Sequence, residues 1–85
     1  INREYYSVMK NNREIQLPRK EFEILSLMAS KPNRLFRRDE IFNHIWGYDT
    51  HVSERTMDVY IRKIRSKIGD NYIKTVKGVG YKFVQ

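Results

Sequence analysis

Cysteine is absent from the 85 residues, proline occurs twice and glycine four times. Without thiols the chain forms neither disulfides nor thiolate metal sites, so its fold rests on apolar packing alone and the redox compartment is unreadable. Long apolar runs are also missing. No stretch approaches the roughly 18 residues of a membrane span, and no signal-peptide pattern comes before the first structured segment. A cytoplasmic protein without membrane association is the expectation. The chain starts at Ile1 with no initiator methionine, which suggests a piece of something longer. Internal repeats and low-complexity segments are lacking as well, and 85 residues with 13% aromatics suffice for one compact domain spanning 1–85 and no second.

Negative charge is the remaining shortage. Seventeen Lys and Arg face ten Asp and Glu, a net charge of +7. Residues 53 to 82 hold eight cations against three anions, whereas residues 1 to 52 hold nine against seven. Such an excess favours polyanionic partners, because each neutralised phosphate releases condensed counterions. A solvated lysine-rich face explains the charge equally well, so the pattern of residues has to decide.

The decisive pattern is SERTMDVYIRKIRSKI, residues 53 to 68. At about 100° per residue, Met57, Ile61, Ile64 and Ile68 share one narrow stripe, as a helix pressed on a core requires. Around the antipode lie Arg55, Val59, Arg62, Lys63 and Ser66, with Thr56 at the margin. Donors and one apolar methyl source thus project away from the protein, a mixture suited to a major groove. Ser53 is expected to cap this helix, with Glu54 in its first turn.

Before it, Tyr5-Tyr6-Ser7-Val8-Met9-Lys10 and Glu14-Ile15-Gln16-Leu17 flank Asn11-Asn12, a hairpin signature. A first helix is expected from 18 or 19 to 30, with Phe22, Leu25, Met28 and Ala29 on one face, widened by Ile24 and Leu27. Lys31-Pro32-Asn33 ends it. A second is expected from about 37 to 46, with Ile41, Phe42 and Ile45 inward and Gly47 as C-terminal cap. Arg37 offers no side-chain acceptor to the first amides, although Asp39 and Glu40 complement the helix dipole. After Gly69-Asp70-Asn71, residues 72 to 77 and 81 to 84 read as strands joined by Gly78-Val79-Gly80, whose two glycines are expected to supply the positive φ angles of a tight hairpin tip. The predicted class is α+β: an N-terminal antiparallel hairpin, three helices forming a helix-turn-helix, and a C-terminal hairpin. That is the layout of a winged helix-turn-helix.

The residues also resemble a known family, the C-terminal winged-helix DNA-binding effector domains of OmpR/PhoB-type response regulators. The resemblance rests on Leu17, Glu21 and Leu25; on Asp39 with Trp46-Gly47; on Arg55-Thr56-Met57-Asp58-Val59 with Ile61 and Arg65; and on Thr75-Val76-Lys77-Gly78-Val79-Gly80-Tyr81. It implies sequence-specific binding of double-stranded DNA as the output of a two-component system controlling transcription. The third helix would enter the major groove through Arg55, Thr56, Val59, Tyr60, Arg62 and Lys63, nearly the set selected by helical angle. The wing, about 72 to 84, would lie at the minor groove, with Lys77 reaching in and Thr75 on phosphate. Arg38, Trp46 and Arg65 would contact the DNA backbone. For Trp46 a core role serves equally well.

By the same resemblance an N-terminal receiver domain, absent here, would let two copies bind direct repeats, and loop 47 to 52 would contact RNA polymerase. Asp58, one turn before Arg62 and three residues after Arg55, is expected to orient a guanidinium or to form a surface ion pair. The chain departs from the pattern at Tyr60, where histidine is frequent, and at Lys63 and Lys77, where arginine is common. Lysine lacks the planar fork, so base selectivity there should be looser.

Catalysis finds no support. His44 and His51 have no further ligands to complete a metal site, no nucleophile and base are paired, and Asp39 and Glu40 suit a solvated first turn. No catalytic residue, metal or cofactor is expected. Gly78 and Gly80 lack the third glycine and following helix of a nucleotide loop. An RNA module would stack exposed aromatics on a sheet, and Tyr5, Tyr6 and Tyr48 keep that alternative open.

Overall fold

A computed structural model describes residues 7–10, 12–47 and 54–84, with the side chains of 54 and 55 outside that set. Strands β1 (Ser7–Lys10) and β2 (Arg13–Gln16) pair antiparallel, Ser7 opposite Gln16 and Lys10 opposite Arg13. Asn12 turns the chain with φ of 65°, the left-handed conformation that asparagine tolerates. Asn11, Ser53, Arg55 and the loop 48 to 52, with the expectations placed on them, lie outside the described residues, Arg55 by its side chain.

Helix α1 (Arg19–Ala29) starts behind Pro18, whose carbonyl accepts from the Phe22 amide at 2.9 Å. Its buried face holds Phe22, Leu25 and Met28 as expected. Ile24, expected only to widen that face, is fully buried, and Ala29 is half-buried. Helix α2 (Arg38–Trp46) buries Ile41 completely and Ile45 partly. Its first turn lacks a side-chain acceptor on Arg37, and Glu40 takes over by accepting from the Arg37 amide at 3.3 Å. Gly47, with φ of 81°, ends the helix by donating to Asn43 at 2.9 Å.

Helix α3 (Glu54–Ile68) presents the predicted stripe to the core: Met57, Ile61, Ile64 and Ile68 are all buried. Each such side chain contributes about 1.5 to 3 kcal/mol of transfer free energy, which anchors the helix and leaves the opposite face outward. Two polar contacts add to the seat. The Lys67 ammonium lies 2.8 Å from the buried Glu21 carboxylate of α1. Lys10 of β1 donates to the Ile68 carbonyl at the end of α3, 2.5 Å away, where the helix dipole favours a cation.

Strands β4 (Ile73–Val76) and β5 (Gly80–Phe83) form the wing. A third strand was not expected: β3 (Leu35–Arg37) pairs with β5, so the sheet order is β3-β5-β4. Three residues are too short to display a period of two, and Phe36 reads from sequence as the lead-in to α2. Pairing buries Phe36 against Tyr81 of β5.

This addition corrects the reading of the wing glycines. Gly78 has φ of 78° and serves the turn, as expected. Gly80 does not have a left-handed φ. Its requirement is close approach, since a Cβ there would lie 2.0 Å from the Phe36 carbonyl oxygen. Helix, loop, helix and a C-terminal hairpin form the winged helix-turn-helix.

Candidate nucleic-acid interface

With its stripe buried, α3 turns Val59, Arg62, Lys63 and Ser66 to solvent, while Thr56 and Tyr60 are half-buried at the margins. Val59 is 44% exposed, a large fraction for a valine on a packed helix. Among the described residues Arg62 has no carboxylate partner. Lys63 lies 5.8 Å from the centre of the Tyr60 ring, so its ammonium is drawn toward the α2 side of the face. Ser66 is less available than its angle suggested: its hydroxyl donates back to the Lys63 carbonyl at 2.6 Å.

Tyr60 joins α3 to α2 through an aromatic cluster. Trp46 lies 5.3 Å from Tyr60 and 5.2 Å from Phe42, the latter pair stacked, and Lys20 sits 5.7 Å from the indole. Trp46 is half-buried. It therefore packs as part of the aromatic cluster, the core role considered for it, with part of its surface left to solvent.

The wing meets α3 through a second cluster. Arg38, the first residue of α2, places Nε 3.2 Å from Asp58 Oδ1 of α3. The Tyr81 hydroxyl of β5 donates to the same carboxylate oxygen. Asp58 thus orients a guanidinium, as expected, but that of Arg38 rather than one of its own helix. Contact with Tyr81, together with the nearby Asp58 charge, raises the Arg38 pKa above its usual value. Burial raises the Tyr81 phenol, and its hydrogen bond to Asp58 raises it further.

Arg65 also turns toward the wing. Its Nη2 donates to the Ile73 carbonyl at 2.7 Å and to Thr75 Oγ1 at 2.6 Å. Arg65 therefore braces β4 from α3, and Thr75 stays exposed beside it with its hydroxyl hydrogen uncommitted to Arg65. Lys77 is exposed at the wing tip next to Gly78 and the 43%-exposed Val79. The Val79 amide closes the turn on Val76 at 2.9 Å.

Tertiary folding thus keeps Thr56, Val59, Tyr60, Arg62 and Lys63 on the outward side of α3 and brings Trp46 beside Tyr60, Arg38 beside Asp58 and Thr75 beside Arg65, while Lys77 is exposed at the wing tip. Asp58 and the Tyr81 hydroxyl were not read as members of the site. Nothing in helical spacing could reveal that Arg38, twenty residues earlier, approaches Asp58. The carboxylates Asp39 and Glu40 pair with Arg37 at 3.5 Å and Arg34 at 2.6 Å respectively. Among the described residues no group of three His, Asp or Glu could hold a metal ion, and no helix is long and apolar enough to cross a membrane.

Residues 12–83 match the family described as "Transcriptional regulatory protein, C terminal". The chain is 40% identical over 85 residues to the response regulator ArlR of Staphylococcus aureus, a match covering 95% of this chain and 39% of that protein. It therefore spans well under half of the curated relatives it matches. Among solved structures, the response regulator DrrB of Thermotoga maritima, an OmpR/PhoB homolog, superposes with a TM-score of 0.85 at 37% identity over 93% of this chain and 38% of its own. The DNA-binding domain of the response regulator AdeR, solved in complex with an intercistronic region, gives 0.86 at 29% identity over 100% of this chain and 92% of its own.

Proposed function

Because the chain belongs to the family of C-terminal DNA-binding domains of OmpR/PhoB-type transcriptional regulators, which are not enzymes, we propose that it binds specific sequences of double-stranded DNA. It does so as the output domain of a two-component response regulator. Helix α3 enters the major groove and the wing lies at the adjoining minor groove.

The observation that carries this reading is the outward face of α3, where Arg62 stands exposed without a carboxylate partner among the described residues, next to the exposed methyls of Val59. A solvated ion-pair surface would spend its arginine on a nearby acid. A reading surface keeps donors open. Arg62 suits the bidentate edge of a guanine and Val59 a thymine methyl, with Thr56, Tyr60 and Lys63 at flanking bases or phosphates. Arg55 joins this set by family resemblance.

Thr75, whose oxygen accepts from Arg65, retains a hydroxyl donor for phosphate, so Arg65 contributes through it. Arg38 and the Trp46 edge meet the DNA backbone from α2, and Lys77 reaches the minor groove. In the full protein a receiver domain precedes this one, and two copies occupy direct repeats in the cytoplasm. Loop 47 to 52 is the proposed contact with RNA polymerase.

Selection from a random pool of duplexes tests the proposal. Enrichment of one motif, repeated in the same orientation, is expected. A pool that stays random, or one in which single-stranded RNA competes out every duplex, would overturn it.

A further inference from the structure

Helix α3 and the wing are separate elements, so something has to set the angle between the two surfaces that meet DNA. Asp58 and Arg65 lie seven residues apart, on one side of α3 and about 10 Å along its axis. Each is attached to the wing. Asp58 accepts from the Tyr81 hydroxyl on β5 and from Arg38 Nε, and Arg65 donates to Ile73 and Thr75 on β4. The Arg38 and Arg65 guanidinium carbons lie 5.6 and 5.9 Å from the centre of the same Tyr81 ring. Pairing with β3 ties β5 to the segment that leads into α2, whereas the two attachments spaced along α3 fix the angle between that sheet and α3 itself.

Resting on the groove assignment above, we propose that Asp58 and the Tyr81 hydroxyl are positioning groups that lock the wing to α3, so that the two grooves are engaged as one unit. Neither group needs to touch DNA. Among the described residues Asp58 is the one carboxylate that this joint shares, and it also aims Arg38. Without the lock the wing, still paired with β3, samples a wider range of angles to α3, and the minor-groove contact carries the cost of ordering it at each binding event.

The test uses Tyr81→Phe, which removes one oxygen and keeps the ring, alongside Asp58→Asn. Ser7→Ala is the matched control, because the buried Ser7 hydroxyl also donates to a carboxylate, Glu14 at 2.8 Å, within the N-terminal hairpin and not at the α3–wing joint. The probe is the duplex enriched from the random pool, read by hydroxyl-radical protection at the minor groove and guanine methylation protection in the major groove. Tyr81→Phe and Asp58→Asn should weaken binding roughly tenfold, blur the minor-groove protection and retain the guanine protection. Ser7→Ala should leave both protections as in the parent chain, even where its urea midpoint falls as far. Minor-groove protection that survives in Tyr81→Phe overturns the lock alone. Absence of that protection in the parent chain overturns the groove assignment, and the lock with it.

Discussion

Gly80 and Phe36 approach so closely that a methyl group on Gly80 would sit 2.0 Å from the Phe36 carbonyl oxygen. The contact joins the wing to a strand from between the first two helices, and backbone cannot retreat as a flexible side chain can. Gly80→Ala should therefore separate β3 from β5 and cost at least about 1 to 3 kcal/mol, in the range of core overpacking. Gly78→Ala meets no atom within 4 Å but retains the strain of φ at 78°, and should cost about 1 kcal/mol. Urea midpoints of the two variants check the order.

The ion pair between Lys67 and Glu21 ties α3 to α1 at a buried carboxylate. Lys67→Met strands that charge, and stability should fall by about 3 kcal/mol, the low end for a broken buried pair because the lysine reaches in from the surface. Glu21→Met added to it should restore most of the loss, since an apolar pair of similar volume has no charge to desolvate. Denaturant unfolding of the single and double variants is the measurement.

On DNA, Arg62 and Lys77 should fail differently. Arg62→Ala should cost about 1 to 3 kcal/mol on the preferred duplex and little on random sequence, the mark of a lost base contact. Lys77→Ala should weaken every duplex alike and lower the slope of log affinity against log salt by about one. Titrations on both duplexes at several salt concentrations separate the cases. Equal losses on preferred and random DNA for Arg62→Ala would sink the base-reading role.

Glu40 and Tyr81 should each make stability depend on pH, at opposite ends of the range. The Arg34 guanidinium, hydrogen-bonded at 2.6 Å, and the Arg37 amide hold the Glu40 carboxyl below its usual range. A depressed folded value means that the contribution is present above the unfolded value and lost as pH falls through the folded one. Glu40→Gln should accordingly flatten the acid limb and leave the neutral region unchanged in slope. Tyr81 is raised by burial and by Asp58, so its contribution is present below the ordinary tyrosine value and lost as pH rises through the folded one. Tyrosinate absorbance should show Tyr81→Phe missing a ring that titrates above the ordinary tyrosine value, and urea midpoints should show its alkaline limb flattened.

Legibility in the sequence followed the range of the interaction. The α3 stripe was readable because Met57, Ile61, Ile64 and Ile68 repeat at the helical period, and the outward residues Val59, Arg62 and Lys63 follow from it as the remainder. The wing turn was readable from Gly78. Strand β3 was not, because three residues carry no period and its hydrogen bonds lie with residues some forty-five positions later. For the same reason Gly80 was assigned a conformational role when its role is steric. Asp58 was correctly read as the partner of a guanidinium, but an arginine on its own helix was the only candidate in view, and Arg38 reaches it through the packing of α2 on α3.

The order of the main elements, the buried face of each helix and the basic outward face of α3 were thus determined by local sequence, since period, turn chemistry and charge are properties of neighbouring residues. Which side chains of α3 stay open to solvent and which are committed to the wing was decided by tertiary structure alone. Arg62 and Arg65 are both arginines on one helix, three residues apart. The first faces open solvent, while the second meets β4, because only the folded chain brings a carbonyl and a hydroxyl within its reach.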